Sequence, residues 1–522
     1  AHVLQAAADV RDTDAGPRVR LTLDSRDLDP GVVERLGEAW LELLTGLATH
    51  AGTPNAGGHT PSDFDLVEVA RRDVAELAGA APGLTDIWPL SPMQQGMLFE
   101  RARDGDGVDV YQTQRIFDLD GPLDADRLRA AWEAVVARHE SLRTSFHQLA
   151  SGRPVQVVAD EVELPWRMVD VSHLDEADAA AEVDRLVAAD QAERFDFSRA
   201  PLLRLLLIRL AEDRHRLVLT PHHIVLDGWS TPIVVGEMSA EYAGRRSASP
   251  APSYRDYLGW LNRQDKEAAR AAWRSEFAGS DEPTVLDPDA GRTMVMPREH
   301  CELLSEEATR ALTAFARGRG LTLSTIVQGA WALVLARLAG RTDVVFGSVV
   351  AGRPAEVPDV ERMVGMFINT VPVRVRLDGG MPVLDLLADL QRRQSALAEH
   401  QHMGLSEIQK VAGPGATFDT IMMVENYPMD AVEVGDDGGV TIGSVLTRTG
   451  TGYPLTMSVS PGRRVQIRVS YRPGSVDRAT AVEVARQVVR VMERVVAEPA
   501  TVLGRLGVTG GPADASVLAG PA

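Results

Sequence analysis

Short Val/Leu-rich or alternating stretches recur between helix-patterned segments along most of this chain, and that recurrence fixes the class of fold open to it. Residues 203–210, 216–220, 344–350 and 371–377 read as strands. Asp124 is a good N-cap for a helix carrying Leu128, Trp132, Val135 and Val136 on one face, with the strand-like Arg143–Phe146 stretch after it. The pattern indicates an α/β or α+β architecture. At 522 residues the chain is too long for one ordinary core, so two or more packed units are expected. A long polar helix with Trp260 and Trp273, over residues 254–279, is expected to cross between two lobes.

An internal echo frames the chain. Residues 18–25 alternate like a half-buried strand, and a helix comes next with Val33, Leu36, Trp40, Leu43, Leu44 and Leu47 at helical spacing. Residues 464–471 alternate in the same way, followed at a similar distance by Val484, Val488, Val491, Met492 and Val495. Either the first unit is the tail of a relative of the main body, or two unrelated strand-helix units are present, since such units are common. Gly, Pro, Thr and Asn over 52–63 read as a linker, and residues 509–522 as an exit linker. Gly57-Gly58-His59-Thr60 lacks the serine on which carrier proteins hold phosphopantetheine, and Pro61 disfavours the helix that would open there, so it reads as a loop.

The 54 basic and 74 acidic side chains leave a net charge of −20, which disfavours nucleic acid and anionic membranes as partners. Cys301 stands alone, so an internal disulfide and a Cys-rich zinc site are excluded; a small residue in or beside a strand is expected there. No basic-then-apolar leader is seen, and the greasiest run is broken by Arg204 and Arg209, so a cytoplasmic monomer with no membrane span is expected.

One strand runs directly into a loop with the residues of a reaction centre. Residues 216–220 lead into Pro221-His222-His223-Ile-Val-Leu-Asp227-Gly228-Trp229-Ser230. A strand end holds a side chain rigidly while the loop beyond it opens to substrate. Imidazole, with a pKa near 6.5, exchanges protons close to neutrality. Asp227 is placed to fix the loop by an ion pair, and Gly228 permits a positive φ or a close approach that aims its N–H at a developing oxyanion. A structural His pair and a metal site are the alternatives, but no His-x-x-x-His or Cys pair supplies further ligands. No Gly-x-Ser-x-Gly elbow favours a serine hydrolase.

The His222–Gly228 segment resembles the signature of the condensation domains of nonribosomal peptide synthetases, which belong with the chloramphenicol acetyltransferase type of acyltransferase. Other motifs come in the family's order: Trp88-Pro-Leu-Ser91-Pro-Met-Gln94-Gln-Gly96, Arg138-His-Glu140-Ser-Leu-Arg143, Tyr254-Arg-Asp-Tyr257, Gly352-Arg353-Pro354, Val364-Gly365-Met-Phe367-Ile-Asn369, Phe418-Asp419-Thr420 and Val424-Glu-Asn426-Tyr427-Pro428. The resemblance implies two acetyltransferase-like lobes in a V-shaped pseudo-dimer with a central tunnel, residues 84–262 forming one and 263–508 the other. Residues 1–50 would be the tail of a preceding epimerisation- or condensation-like domain, and 51–83 the linker.

Donor and acceptor would arrive on the 4'-phosphopantetheine arms of upstream and downstream carrier proteins, with no cofactor or metal bound, beside neighbouring epimerisation and adenylation domains. His223 would meet the acceptor amine, as general base or as a positioning group, and His222 would pack and hydrogen-bond. Arg353 is the implied partner of Asp227. Trp229, Ser230 and Asn369 are candidates for the substrate channel, Asn369 also sharing with Phe367 a structural reading. Glycine at Gly404, where the family often has proline, implies a looser segment. The intact His222 separates this loop from heterocyclisation domains, and Asp227-Gly-Trp229-Ser-Thr separates it from epimerisation domains. Met93-Gln-Gln-Gly-Met-Leu-Phe resembles the type that takes a D-terminated donor. An epimerase and a carrier-binding scaffold without turnover are the alternatives.

Overall fold

The computed structural model describes residues 3–13, 16–53, 58–104, 109–245, 249–288, 295–425, 440–448, 450 and 452–506, in two compact units, Ala1–Asp63 and Phe64–Ala522. The exit linker and Asn426-Tyr427-Pro428 lie outside the described residues.

In the first unit, β1 (Gln5–Thr13) and β2 (Gly16–Asp24) pair as an antiparallel hairpin. Helix α1 (Pro30–Ala51) comes next, capped by the Asp29 carboxylate on the Gly31 N–H.

The second unit begins twenty residues earlier than the lobe start expected at residue 84. Phe64, Val67, Val69 and, from α2 (Arg71–Ala80), Val74 and Leu77 pack on the three-stranded antiparallel sheet of β3 (Leu84–Trp88), β5 (Thr144–Gln148) and β6 (Pro154–Ala159). The expected linker over 51–83 therefore stops at Asp63. Beyond it the irregular spacing of apolar residues hid a helix whose partners lie some 75 residues on.

The first large sheet has the order β14-β4-β9-β8-β7. Its strands are β4 (Gln114–Asp120), β7 (Trp166–Asp170), β8 (Leu203–Ala211), β9 (Arg214–Pro221) and β14 (Thr441–Arg448). Alternation divides its faces. Ile116, Leu206, Ile208 and Val218 pack on α5 (Glu176–Ala192). Phe117, Leu205, Leu207, Leu217 and Leu219 pack with α4 (Ala125–Arg138) and α6 (Ser230–Tyr242). Helix α3 (Pro92–Asp104) joins the same core through Met97. Strand β14 comes from the C-terminal half of the chain and pairs antiparallel with β4, Leu446 opposite Ile116, so the two lobes are not simple consecutive stretches.

The second large sheet has the order β10-β16-β15-β13-β11-β12. Its strands are β10 (Arg298–Leu303), β11 (Asp343–Val350), β12 (Asn369–Arg376), β13 (Thr420–Val424), β15 (Leu455–Ser460) and β16 (Gln466–Tyr471). One face is covered by α9 (Glu306–Arg319), α10 (Leu323–Ala339), α11 (Val383–Leu397) and α13 (Arg478–Ala497). Helix α10 is apolar all round and accordingly buried throughout residues 325–336. Residues of α8 (Lys266–Glu276) and α12 (Leu405–Ala412) pack on the other face. The single helix expected over 254–279 is two, α7 (Tyr254–Asn262) and α8, because the Asp265 carboxylate caps Glu267 and Ala268 and restarts the helix. Cys301 lies exposed on β10. Among the described residues, no single helix is long and apolar enough to cross a membrane.

Candidate active site

Strand β9 delivers the histidine loop. Leu202 accepts from the His222 N–H and Tyr111 from the His223 N–H, both at 2.8 Å, so sheet pairing holds the backbone on both sides as the strand ends. Two overlapping turns come next, Val225 N–H to His222 O and Leu226 N–H to His223 O, each 3.2 Å. Gln94 braces the loop, its Nε2 donating to Ile224 O at 2.8 Å.

The two rings differ in burial and in tautomer. His222 is 1% exposed, with Phe197 edge-on at 4.6 Å between ring centres. Its Nδ1 accepts from the Ile224 N–H at 3.0 Å, so the hydrogen of the neutral ring sits on Nε2, which donates to Asp109 Oδ1 at 3.3 Å. Burial pushes the His222 pKa down against the pull of Asp109. Burial would raise the Asp109 carboxyl, yet His222, the Tyr111 N–H and Arg101 together hold it below the ordinary carboxylate value. Both nitrogens of His222 are thus engaged within the protein.

His223 is half-buried, and its Nδ1 lies 3.0 Å from Leu226 O. A carbonyl only accepts, so Nδ1 carries the hydrogen and Nε2 keeps its lone pair. Burial pushes this ring down to about 4, Leu226 opposing and the nearby Arg115 cation assisting. At neutral pH it is uncharged and a hydrogen-bond acceptor at Nε2.

Asp227, fully buried, ties the loop to residues more than a hundred positions away. Oδ1 accepts from the Ser230 N–H (2.8 Å), the Ser230 hydroxyl (2.7 Å) and Arg353 Nη2 (3.4 Å), while Oδ2 accepts from the Phe367 N–H (3.2 Å). Arg353, itself 3% exposed in its side chain, also donates to Ser230 Oγ (2.9 Å), to Met363 O (2.9 Å) and to Val360 O, and stacks over the Phe367 ring. Gly352 has φ +62°, and a side chain there would collide with the Phe367 carbonyl, so glycine is what lets Arg353 enter.

The other motifs converge on this frame. The Tyr254 hydroxyl donates to Met366 O at 2.6 Å, its ring meets Trp88 and Phe367, and the Ser141 hydroxyl donates to Val364 O at 2.7 Å. Asp419 Oδ2 accepts from the Leu286 and Asp287 N–H groups and fastens the segment leading into β13.

Several expectations need correction. Ser230 is buried, with its hydroxyl engaged by Asp227, Gly365 and Arg353, and cannot line a channel. Asn369 is 6% exposed and donates to Gln401 O (2.8 Å) and Met403 O (2.7 Å), which leaves only its structural reading. Those bonds, with Trp273 Nε1 donating to His400 O at 3.0 Å, pin the segment expected to be loose, and Gly404 packs against Pro92. Gly228 is buried and does not take a positive φ, which leaves only close approach. Trp229 is half-buried and donates from its indole to Glu361 O at 3.0 Å. Sequence reasoning missed Asp109 and the Leu226 carbonyl. Asp109 sits in a Gly- and Asp-rich stretch with no local sign of its partner 113 positions on, and a backbone oxygen leaves no residue signal.

Ser230→Ala is expected to lower stability by about 1–3 kcal/mol, because the Gly365 N–H and Arg353 lose a buried acceptor. Denaturant unfolding checks it.

The family model described as Condensation domain matches residues 85–513. One subunit of the linear gramicidin synthase of Brevibacillus parabrevis is 38% identical over 497 residues, taking in 93% of this chain and 10% of that subunit. A second subunit of the same synthase is 35% identical over 512 residues, 95% of this chain and 7% of its own length. The chain thus spans about a tenth or less of these relatives. The unmatched 5% of its 522 residues, about 26, is too short to leave out α1, which starts at Pro30. Among solved structures, the first condensation domain of the calcium-dependent antibiotic synthetase, in complex with a substrate analogue, aligns with a TM-score of 0.66 at 22% identity, covering 80% of this chain and 97% of that one. The X-domain structure in complex with OxyB from teicoplanin biosynthesis gives 0.66 at 24% identity, covering 81% and 96%. These likenesses show the two-lobed acetyltransferase-like fold. With the loop, its frame and the family match in agreement, this chain belongs to the condensation-domain family of nonribosomal peptide synthetases.

Proposed function

We propose that this domain joins two carrier-tethered substrates and that the donor ends in a D-residue. The free amine of the acceptor aminoacyl thioester attacks the donor's thioester carbonyl, the C–N bond forms and the C–S bond breaks. The amine gives up a proton, and the departing phosphopantetheine thiolate takes one. Both arms enter a passage between the lobes from carrier proteins upstream and downstream, with epimerisation and adenylation domains as neighbours in the same synthetase.

The observation that carries this reading is the tautomer of His223. Its Nε2 is an uncharged acceptor at neutral pH, aimed by the Leu226 carbonyl behind it, and suits a neutral amine that must present its lone pair to a carbonyl. Trp229, half-buried beside the loop, remains a candidate for the channel wall, and the Gly228 N–H for a contact to the developing oxyanion.

The D-donor assignment rests on the Met93–Phe99 segment and on the resemblance of Gly57-Gly-His-Thr-Pro-Ser-Asp-Phe64 to the end of an epimerisation domain. Offered matched donors on the upstream carrier, the domain is expected to form product from the D-terminated one at least about tenfold faster, a difference of about 1.4 kcal/mol, read by mass. Equal rates, or preference for the L-form, would remove that assignment. A scaffold without turnover shares the fold, and carrier binding with no product would favour it. Exchange of the donor α-proton with solvent deuterium would favour an epimerase.

A further inference from the structure

Helix α1 presents an apolar stripe that is uncovered in the first unit. Leu36 is 43%, Leu43 68% and Leu47 63% exposed, and the helix buries none of its residues. An unpaired stripe of this length on a capped helix of 22 residues calls for an occupant.

The second unit shows what covers such a stripe. Moved by 448 positions, Val33, Leu36, Trp40, Leu43, Leu44 and Leu47 fall on Ala481, Val484, Val488, Val491, Met492 and Val495 of α13. All six of those α13 residues are 2% exposed or less. Both helices start from an aspartate cap, Asp29 and Asp477, and both come after an antiparallel strand pair. In the strands the shift is 446, setting Val19, Leu21 and Leu23 on Val465, Ile467 and Val469, and the loop absorbs the other two positions. In the second unit, β10 pairs with the outer side of β16, β13 runs parallel beside β15, and Leu312 of α9 and the buried face of α10 pack in the core that holds α13.

We propose that β1, β2 and α1 are the closing strand-strand-helix unit of another lobe built like residues 298–506, and that polypeptide N-terminal to residue 1 supplies it. A strand in the place of β10 would pair with β2, one in the place of β13 would run parallel to β1, and two helices would bury the stripe. A second copy of this chain has no vacant seat to offer, because its own β15, β16 and α13 already fill that position. The stretch shared with the second synthase subunit includes α1 and is a small part of a much longer chain. The inference deepens the reading of residues 1–50 as a domain tail and is independent of amide formation by the second unit.

The test compares residues 1–522 with a chain extended N-terminally through the preceding domain, each with and without Leu43→Glu plus Leu47→Glu. In the shorter chain the double variant should leave the melting of the condensation domain and its amide formation unchanged. In the extended chain it should abolish or markedly lower the preceding domain's own unfolding transition. Hydrogen exchange on the unsubstituted proteins gives a second reading, with α1 amides at least about a hundredfold more protected in the extended chain. Unprotected α1 amides and an unmoved transition would overturn the proposal. So would a dimer of the 522-residue chain that the double variant splits, which would make a second copy the occupant. Amide formation measured on the same samples reads the proposed function separately.

Discussion

His223→Ala is expected to lower the rate of amide formation on loaded carriers by about 10²–10³-fold, and His222→Asn to lower mainly stability. The form of the first effect follows from the depressed pKa of the ring. With the ring's conjugate acid near 4 and an α-ammonium near 8, moving a proton from resting ammonium to Nε2 is uphill by about four pKa units, roughly 5 kcal/mol. In the proposed reaction His223 would be a poor base for that first proton, which water would remove. It would accept a hydrogen bond from the already neutral amine and take the proton only as the C–N bond forms and the nitrogen becomes acidic.

The pH dependence has a definite sign. A depressed His pKa leaves the functional, uncharged ring present throughout pH 5–8, so kcat/KM should rise with pH to a plateau near the amine's own pKa of about 8, with no break near 6.5. The ring's break lies on the acid side near 4, where activity falls as pH falls. Single-turnover rates on carrier-loaded substrates across this range check both parts. Retention of the rate within about threefold in His223→Ala would end its role, and a break at 6–7 that vanishes in the variant would show that the ring titrates normally.

Removing either partner of the Asp227–Arg353 pair costs about 3–5 kcal/mol of stability. Asp227→Ala strands the Ser230 and Phe367 N–H groups as well as the guanidinium, and Arg353→Ala leaves a fully buried carboxylate with no cation. Exposed pairs such as Arg129–Glu133 contribute at most about 1 kcal/mol and serve as controls. Asp227→Asn with Arg353→Met should be less destabilising than the sum of Asp227→Asn and Arg353→Met made singly, because the uncompensated charge is gone. Denaturant midpoints of the four proteins decide the matter. Single variants that lose less than about 1 kcal/mol would mean that water or another group already satisfies the pair.

Legibility along the chain tracked the range of the forces involved. The helix opening at Asp124 was readable because its cap and its stripe are local, and Leu128, Trp132, Val135 and Val136 are indeed its buried face. The break at Asp265 was local too, but the Trp260 and Trp273 spacing masked it. Strand β14 was not readable as part of the first sheet. Alternation tells that a stretch is extended, while its partner, β4, lies more than 300 positions earlier and no local pattern names it. Residues 64–80 read as linker for the same reason, their packing partners being remote.

Arg353 as the partner of Asp227 came from the family resemblance; at the loop, the sequence by itself determined the chemical inventory of two imidazoles at a strand end and a carboxylate four positions past the second. Short-range stereochemistry and hydrophobic periodicity suffice for that, since both are written in neighbouring residues. The hydrogen-bond partners and tautomer of each ring, and the fall of His223 to about 4, were decided by the tertiary structure alone. Protonation depends on desolvation, on the atoms a ring touches and on nearby charges, and for the paired histidines these include the Asp109 carboxylate and the Arg115 cation, from more than a hundred residues away.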